Sequence, residues 1–204
     1  MRVFLETERL ILRRFTDADV GNLVDLDSDP AVMRYITGGP ATPREEIETD
    51  VLPAFLRYYD RFSEFGFWAV LEKPDNAFIG WFHFRPQPGD PLEHPQEVEL
   101  GYRLKQSCWG KGYATEGSRA LIERGFRDSG LQRVVAFAYG GNLASRRVME
   151  KVGMRLTRTF RLTPEEMLEQ FGVTDPNIFD GDDVEYAITR AEWERQSSAG
   201  LHAR

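Results

Sequence analysis

The stretch from Glu97 to Tyr139 limits the folds open to this chain more than any other. Glu97-Val98-Glu99-Leu100-Gly101-Tyr102-Arg103-Leu104 alternates polar and apolar residues, the period of a strand with one buried face. Trp109-Gly110-Lys111-Gly112 turns the chain, and an amphipathic pattern follows from about Tyr113 to Asp128. Leu131 to Tyr139 carries few charges and reads as a second strand, placed inside a sheet. Strand, helix and strand in succession demand a right-handed crossover between parallel neighbours. The glycine turn between strand and helix also leaves several backbone N–H groups at a helix N-terminus, backed by a partial positive charge. That is a place for a phosphate or pyrophosphate, although a GxG turn alone equally describes a tight connection.

The flanking segments are not parallel units. Arg9 to Phe15 reads as a first strand, followed by a helix that starts at Thr16 and Asp19 and runs to about Leu26. Asp29-Pro30 opens another short helical turn. Thr42-Pro43-Arg44-Glu45 has the grammar of a helix start with Thr42 as N-cap, and Ile47, Val51, Phe55, Tyr58 and Phe62 recur at helical spacing. Pro53 falls inside that pattern and predicts a kink or restart near Asp50. Phe67 to Glu72 and Ala77 to Arg85 form a hairpin around Lys73-Pro74-Asp75-Asn76, and Pro86 to Gln96 is a proline-rich loop. Asn142 caps a helix that Gly153 stops, and Met154 to Leu162 is a sixth strand. Thr163-Pro164-Glu165-Glu166 predicts an inserted helix to about Phe171, and Val184 to Thr189 is the last strand. The expected architecture is a mixed α/β (α+β) sheet of about seven strands, helices on both faces, and not a doubly wound nucleotide fold. One domain over residues 5–195 and a disordered tail over 196–204 complete it.

Composition narrows the function. A net charge of −7 argues against a general nucleic-acid surface. Cys108 is the one cysteine, so no internal disulfide forms. No run approaches the ~20 apolar residues of a membrane helix. Glu6 and Glu8 interrupt any signal-peptide pattern, and the expected location is cytoplasmic. His83, His94, His202 and Cys108 lack metal-ligand spacing, so no metal is expected. GxxxxGK[ST] is absent because Gly112 follows Lys111, which disfavours a nucleoside-triphosphate enzyme.

Glu99 lies mid-strand, opposite the apolar face of Val98, Leu100, Tyr102 and Leu104. With Glu97 and Arg103 on its side, it reads either as part of a salt-paired solvated face or as a functional carboxylate. Asn142 and Ser145 are three apart on a helix start, where both also serve as local capping groups.

Thr7-Glu8-Arg9-Leu10-Ile11-Leu12-Arg13, Glu99-Leu100-Gly101-Tyr102, Trp109-Gly110-Lys111-Gly112-Tyr113-Ala114-Thr115-Glu116 and Asn142 to Met154 occur in one order. Together they resemble the GNAT acetyltransferases, in particular the RimJ/RimL-like branch, over roughly residues 5 to 195. The resemblance implies acetyl-CoA as donor and a primary amine as acceptor, a protein N-terminus or a small molecule, in a ternary complex. The glycine turn would then hold the coenzyme A pyrophosphate with Trp109, Gly110, Lys111, Gly112, Tyr113, Ala114 and Thr115, chiefly through backbone amides. Trp109 departs from the Gln or Arg of the general family pattern at that position. Glu99 becomes the base or the amine-binding carboxylate, a backbone N–H near Tyr102 or Leu104 the oxyanion donor, and Asn142 a contact to the pantetheine arm. Ser145 becomes the partner of the sulfur and the acid, because the position four beyond it, a tyrosine in many relatives, is Met149. A homodimer also fits the branch. The competing reading is a non-catalytic acyl-CoA sensor, which would keep Gly112 and Ala114 but have no need of Glu99 or Ser145.

Overall fold

In the computed structural model, residues 2–86, 95–161, 163 and 181–201 are described. The strands are β1 (Val3–Glu6), β2 (Leu10–Arg14), β3 (Gly66–Glu72), β4 (Ala77–Arg85), β5 (Glu97–Leu104), β6 (Arg133–Tyr139), β7 (Arg155–Phe160) and β8 (Asp183–Thr189). They form one sheet in the order β1-β2-β3-β4-β5-β6-β8-β7. β5 and β6 are parallel and every other pair is antiparallel, so the mixed sheet and its single crossover are as expected. The eighth strand is Val3–Glu6, four residues pairing with β2 at the sheet edge. A strand that short has too few repeats for periodicity to reveal it.

Strand alternation sends side chains to two cores. Trp68, Val70, Phe82, Phe84, Val98 and Leu100 pack under α5 (Tyr113–Asp128) and α6 (Leu143–Lys151). Ala69 and Trp81 face the other way, beneath α1 (Val20–Asp27), α2 (Pro30–Met33) and α4 (Leu52–Arg61). The Pro53 expectation takes a specific form. Between α3 (Arg44–Glu46) and α4 the chain winds as a π-helix over Ile47–Val51, and Leu52 N–H bonds back to Ile47 O. Proline has no N–H to continue the ordinary ladder, so the wider turn absorbs the missing bond. Thr42 does not cap this helix; its hydroxyl donates to Asp27 Oδ2 at 2.9 Å.

α7 (Arg190–Leu201) continues directly from β8, so the segment from Gln196 to Leu201, expected as a disordered tail, is helical. The predicted helix, beyond Thr163, and most of the proline-rich loop lie outside the described residues. No helix among the described residues is long and apolar enough to cross a membrane.

Candidate active site

The parallel pair β5 and β6 stays together only from Glu97–Arg133 to Glu99–Val135. Beyond that point β5 follows β4 as far as Leu104, while β6 follows β8 as far as Tyr139. The two strands therefore part in a V whose apex is Glu99. Lys105 N–H donates to Ile79 O, so by alternation the backbone groups of Tyr102 and Leu104 turn toward the open side. Leu104 O already accepts the Trp109 indole N–H at 2.8 Å. That bond anchors a tryptophan whose surface is 48% exposed.

The glycine turn closes one end of the V. Gly110 and Gly112 have φ of +74° and +86°, and Gly112 is the N-cap of α5. An L side chain there would be strained, which is the reason for glycine at the turn into the helix. Glu116 N–H makes the first bond of the helix, onto Gly112 O at 3.0 Å. The N–H groups of Tyr113, Ala114 and Thr115 thus lie ahead of the ladder, as an anion site requires. The Tyr113 side chain is structural: its ring is buried and its hydroxyl donates to Glu72.

Arg9 ties the amino-terminal motif to this turn. Its Nη1 donates to Lys111 O at 2.9 Å, its Nε to Glu116 Oε2 at 2.7 Å, and its guanidinium stacks 4.7 Å from the Tyr113 ring centre. Thr7 Oγ1 donates to Glu116 Oε1 at 2.6 Å. Burial opposes ionisation of Glu116, but Thr7 and Arg9 outweigh it and hold the carboxyl below its ordinary range. Two motifs that are separate in sequence are one structure. Arg9→Ala is expected to loosen the turn and, if the turn is the coenzyme seat that the resemblance implies, to weaken acetyl-CoA binding roughly two- to tenfold. Titration calorimetry checks this, with the KM for the amine unchanged.

At the opposite wall, Asn142 Oδ1 accepts from Ser145 N at 3.1 Å, so Asn142 acts as the N-cap of α6. Ser145 Oγ lies 2.9 Å from the Tyr102 hydroxyl, which spans the open V from β5. Burial pushes the Tyr102 phenol up to about 12, with the Ser145 hydrogen bond offsetting part of that rise. It therefore keeps its proton throughout the neutral range. Met149, four residues beyond Ser145, is buried in the core. A phenol from β5 reaches Ser145 instead.

At the apex, Glu99 is not paired with Arg103. Arg85 Nη2 donates to Glu99 Oε2 at 2.8 Å, and His83 Nε2 stands 3.2 Å from Glu99 Oε1. Arg103 bonds Asp27 at 2.6 Å, and Glu97 pairs with Arg133. Burial would raise the Glu99 carboxyl, yet His83 and then Arg85 hold it well below the usual carboxylate range. Burial also drives His83 toward its neutral form, so at neutral pH the charge that keeps Glu99 ionised belongs to Arg85. Sequence reading missed His83 and Arg85 as partners of Glu99. The only signal was parity: odd-numbered residues of β4 and β5 share one face.

The Acetyltransferase (GNAT) domain model matches residues 9–155. The chain belongs to the GNAT acetyltransferase family. This GNAT protein is 31% identical over 182 residues to the FsC-acetyl coenzyme A-N(2)-transacetylase of Aspergillus fumigatus, covering 86% of this chain and 72% of the relative. It is 30% identical over 191 residues to the uncharacterized N-acetyltransferase YnaD of Bacillus subtilis, covering 93% and 98%. The crystal structure of a GNAT-family acetyltransferase from Bacillus anthracis superposes with a TM-score of 0.70 at 26% identity, over 94% of this chain and 99% of that one. The fold is shared with RimL, a ribosomal L7/L12 alpha-N-protein acetyltransferase solved with coenzyme A, at a TM-score of 0.71 and 20% identity over 92% and 98%. This GNAT protein is accordingly an acetyl-CoA-dependent N-acetyltransferase. Among the described residues no group of three His, Cys, Asp or Glu could hold a metal ion.

Proposed function

We propose that this acetyltransferase transfers the acetyl group directly from acetyl-CoA to a primary amine, both bound at once, with the chemistry in the V between β5 and β6. The single observation that carries the reading is the arrangement around that opening. A carboxylate sits at its apex, helix-start amides and a glycine turn at one end, and a hydroxyl pair spans it. Acetyl transfer needs those three functions: deprotonation of the ammonium, a seat for the coenzyme, and a proton for the departing thiolate.

In this reading the pyrophosphate rests on the backbone from Gly110 to Thr115, with Trp109 and Lys111 at its rim. The pantetheine arm runs past Asn142 toward Ser145, and a backbone N–H of β5 at Tyr102 or Leu104 supports the oxyanion. Glu99 receives the ammonium, and the Tyr102–Ser145 pair protonates the sulfur. The acceptor is a protein N-terminus or a small amine, as in the RimJ/RimL-like branch, and the setting is the cytoplasm. An acyl-CoA sensor would not need an ionised, half-buried Glu99.

A thiol-release assay with acetyl-CoA across N-terminal peptides and small amines tests the proposal. Amine-dependent thiol release with intersecting initial-rate lines is expected; parallel lines would replace direct attack by an acyl-enzyme. Ser145→Ala should lower kcat roughly ten- to hundredfold, the effect of removing a hydrogen bond to a developing charge. Its acetyl-CoA affinity should stay within a few-fold, and an unaltered kcat would remove Ser145 from the mechanism.

A further inference from the structure

His83 occupies an unusual position for a buried side chain. It is 9% exposed, walled by the rings of Phe67 and Trp81 at 5.4 and 5.8 Å. Its register partner on β5 is Gly101, where an added Cβ would lie 2.5 Å from Nε2. Glycine in the Glu99-Leu100-Gly101-Tyr102 motif is thus what admits the imidazole beside Glu99. His83 Nε2 is buried and has no well-directed hydrogen-bond partner. Glu99 Oε1 stands 3.2 Å away, off the line that a hydrogen bond needs. A buried polar atom left in this state calls for an explanation, and here it stands beside a candidate base.

We propose that His83 takes up the proton that Glu99 removes from the acceptor ammonium, so that the Glu99–His83 pair deprotonates the amine. This rests on the acetyl-transfer reading above. Glu99, held ionised beside Arg85, binds an ammonium well but retains a proton poorly. A neutral imidazole 3.2 Å away is a better store. The ammonium gives one proton to Glu99 and thence to His83 Nε2, leaving an amine with a free lone pair. That pair forms the N–C bond as the C–S bond breaks. The second nitrogen proton replaces the one that Tyr102 and Ser145 hand to the sulfur. The proton on His83 returns through Glu99 to solvent after the products leave.

The charged groups facing His83 are Glu99 and Arg103 from β5 and Arg85 from its own strand. From α4, Tyr58 reaches Arg85 at 3.4 Å. Glu99 favours the imidazolium; both arginines and burial oppose it. His83 acts through Glu99 and is therefore a positioning residue.

The test compares His83→Gln and Glu99→Gln in the full chain, following kcat/KM for the amine against pH and acetyl-CoA affinity by calorimetry. His83→Gln should lower kcat/KM about tenfold or more at pH 7 and abolish the acid limb of the profile, leaving acetyl-CoA affinity unchanged. An acid limb that persists at the same midpoint overturns the role of His83 while leaving Glu99 in place. A wild-type rate in Glu99→Gln overturns the Glu99 reading itself, and the proposal with it. Should His83→Gln fail to fold, imidazole nitrogen shifts of the wild-type protein decide: titration of His83 together with the acid limb supports the proposal, and a ring unchanged across that limb refutes it.

Discussion

Replacing Glu99 by glutamine is expected to lower kcat by roughly 10²–10⁴-fold, the span attributed to a positioned acid–base group. Glutamine preserves the shape and can still accept from Arg85, but it neither attracts an ammonium nor passes on a proton. The rate loss should be largest with amines that are fully protonated at the assay pH. The substitution also leaves the Arg85 guanidinium, whose side chain is 19% exposed, without its counter-charge. The sign of the pH effect on stability follows. A carboxyl whose folded pKa is depressed to about 2 stabilises the fold above its unfolded value and loses that contribution as acid protonates it. Denaturant titration should find Glu99→Gln less stable than wild type at neutral pH. The gap should close between about pH 4 and pH 2. A gap that widens on acidification would mean that Glu99 is not held ionised in the fold.

The second large effect concerns stability. Gly80→Ala is expected to destabilise the fold by about 3 kcal/mol or more, combining backbone strain with a steric clash. Gly80 has φ of +140°, and a Cβ there would lie 2.8 Å from Leu104 Cα and run into the Arg103 carbonyl oxygen. Both neighbours are backbone, so no side-chain rotation relieves the contact. The strain falls on the end of β5, where Leu104 O holds Trp109 and the chain enters the glycine turn. A loss in chemical denaturation should therefore accompany weakened acetyl-CoA binding. Gly21→Ala is the control, because nothing lies within 4 Å of an added Cβ at that position.

The elements of the site were legible in the sequence because they are local. The turn declares itself by its glycines, α6 by Asn142 and Gly153, and the break near Asp50 by Pro53. What the sequence concealed are contacts between segments far apart in the chain. Arg9 meets Glu116 across 107 positions, and Tyr102 meets Ser145 across 43. Neither pairing has a periodicity that would announce it. His83 reaches Glu99 only because the β4–β5 register sets His83 opposite Gly101, and a register cannot be read from either strand alone. The face that carries Glu99, Glu97 and Arg103 is salt-paired, but Glu99 pairs across to Arg85 of β4, while Arg103 serves Asp27.

A crystal structure with coenzyme A bound tests the central claim most directly. The account predicts pyrophosphate oxygens within hydrogen-bond reach of the amides from Gly110 to Thr115. It also predicts the pantetheine arm between β5 and β6, with the sulfur beside the Tyr102–Ser145 hydroxyls and open to an amine at Glu99. Coenzyme A seated elsewhere, or a sulfur directed away from Ser145 and Glu99, would contradict it.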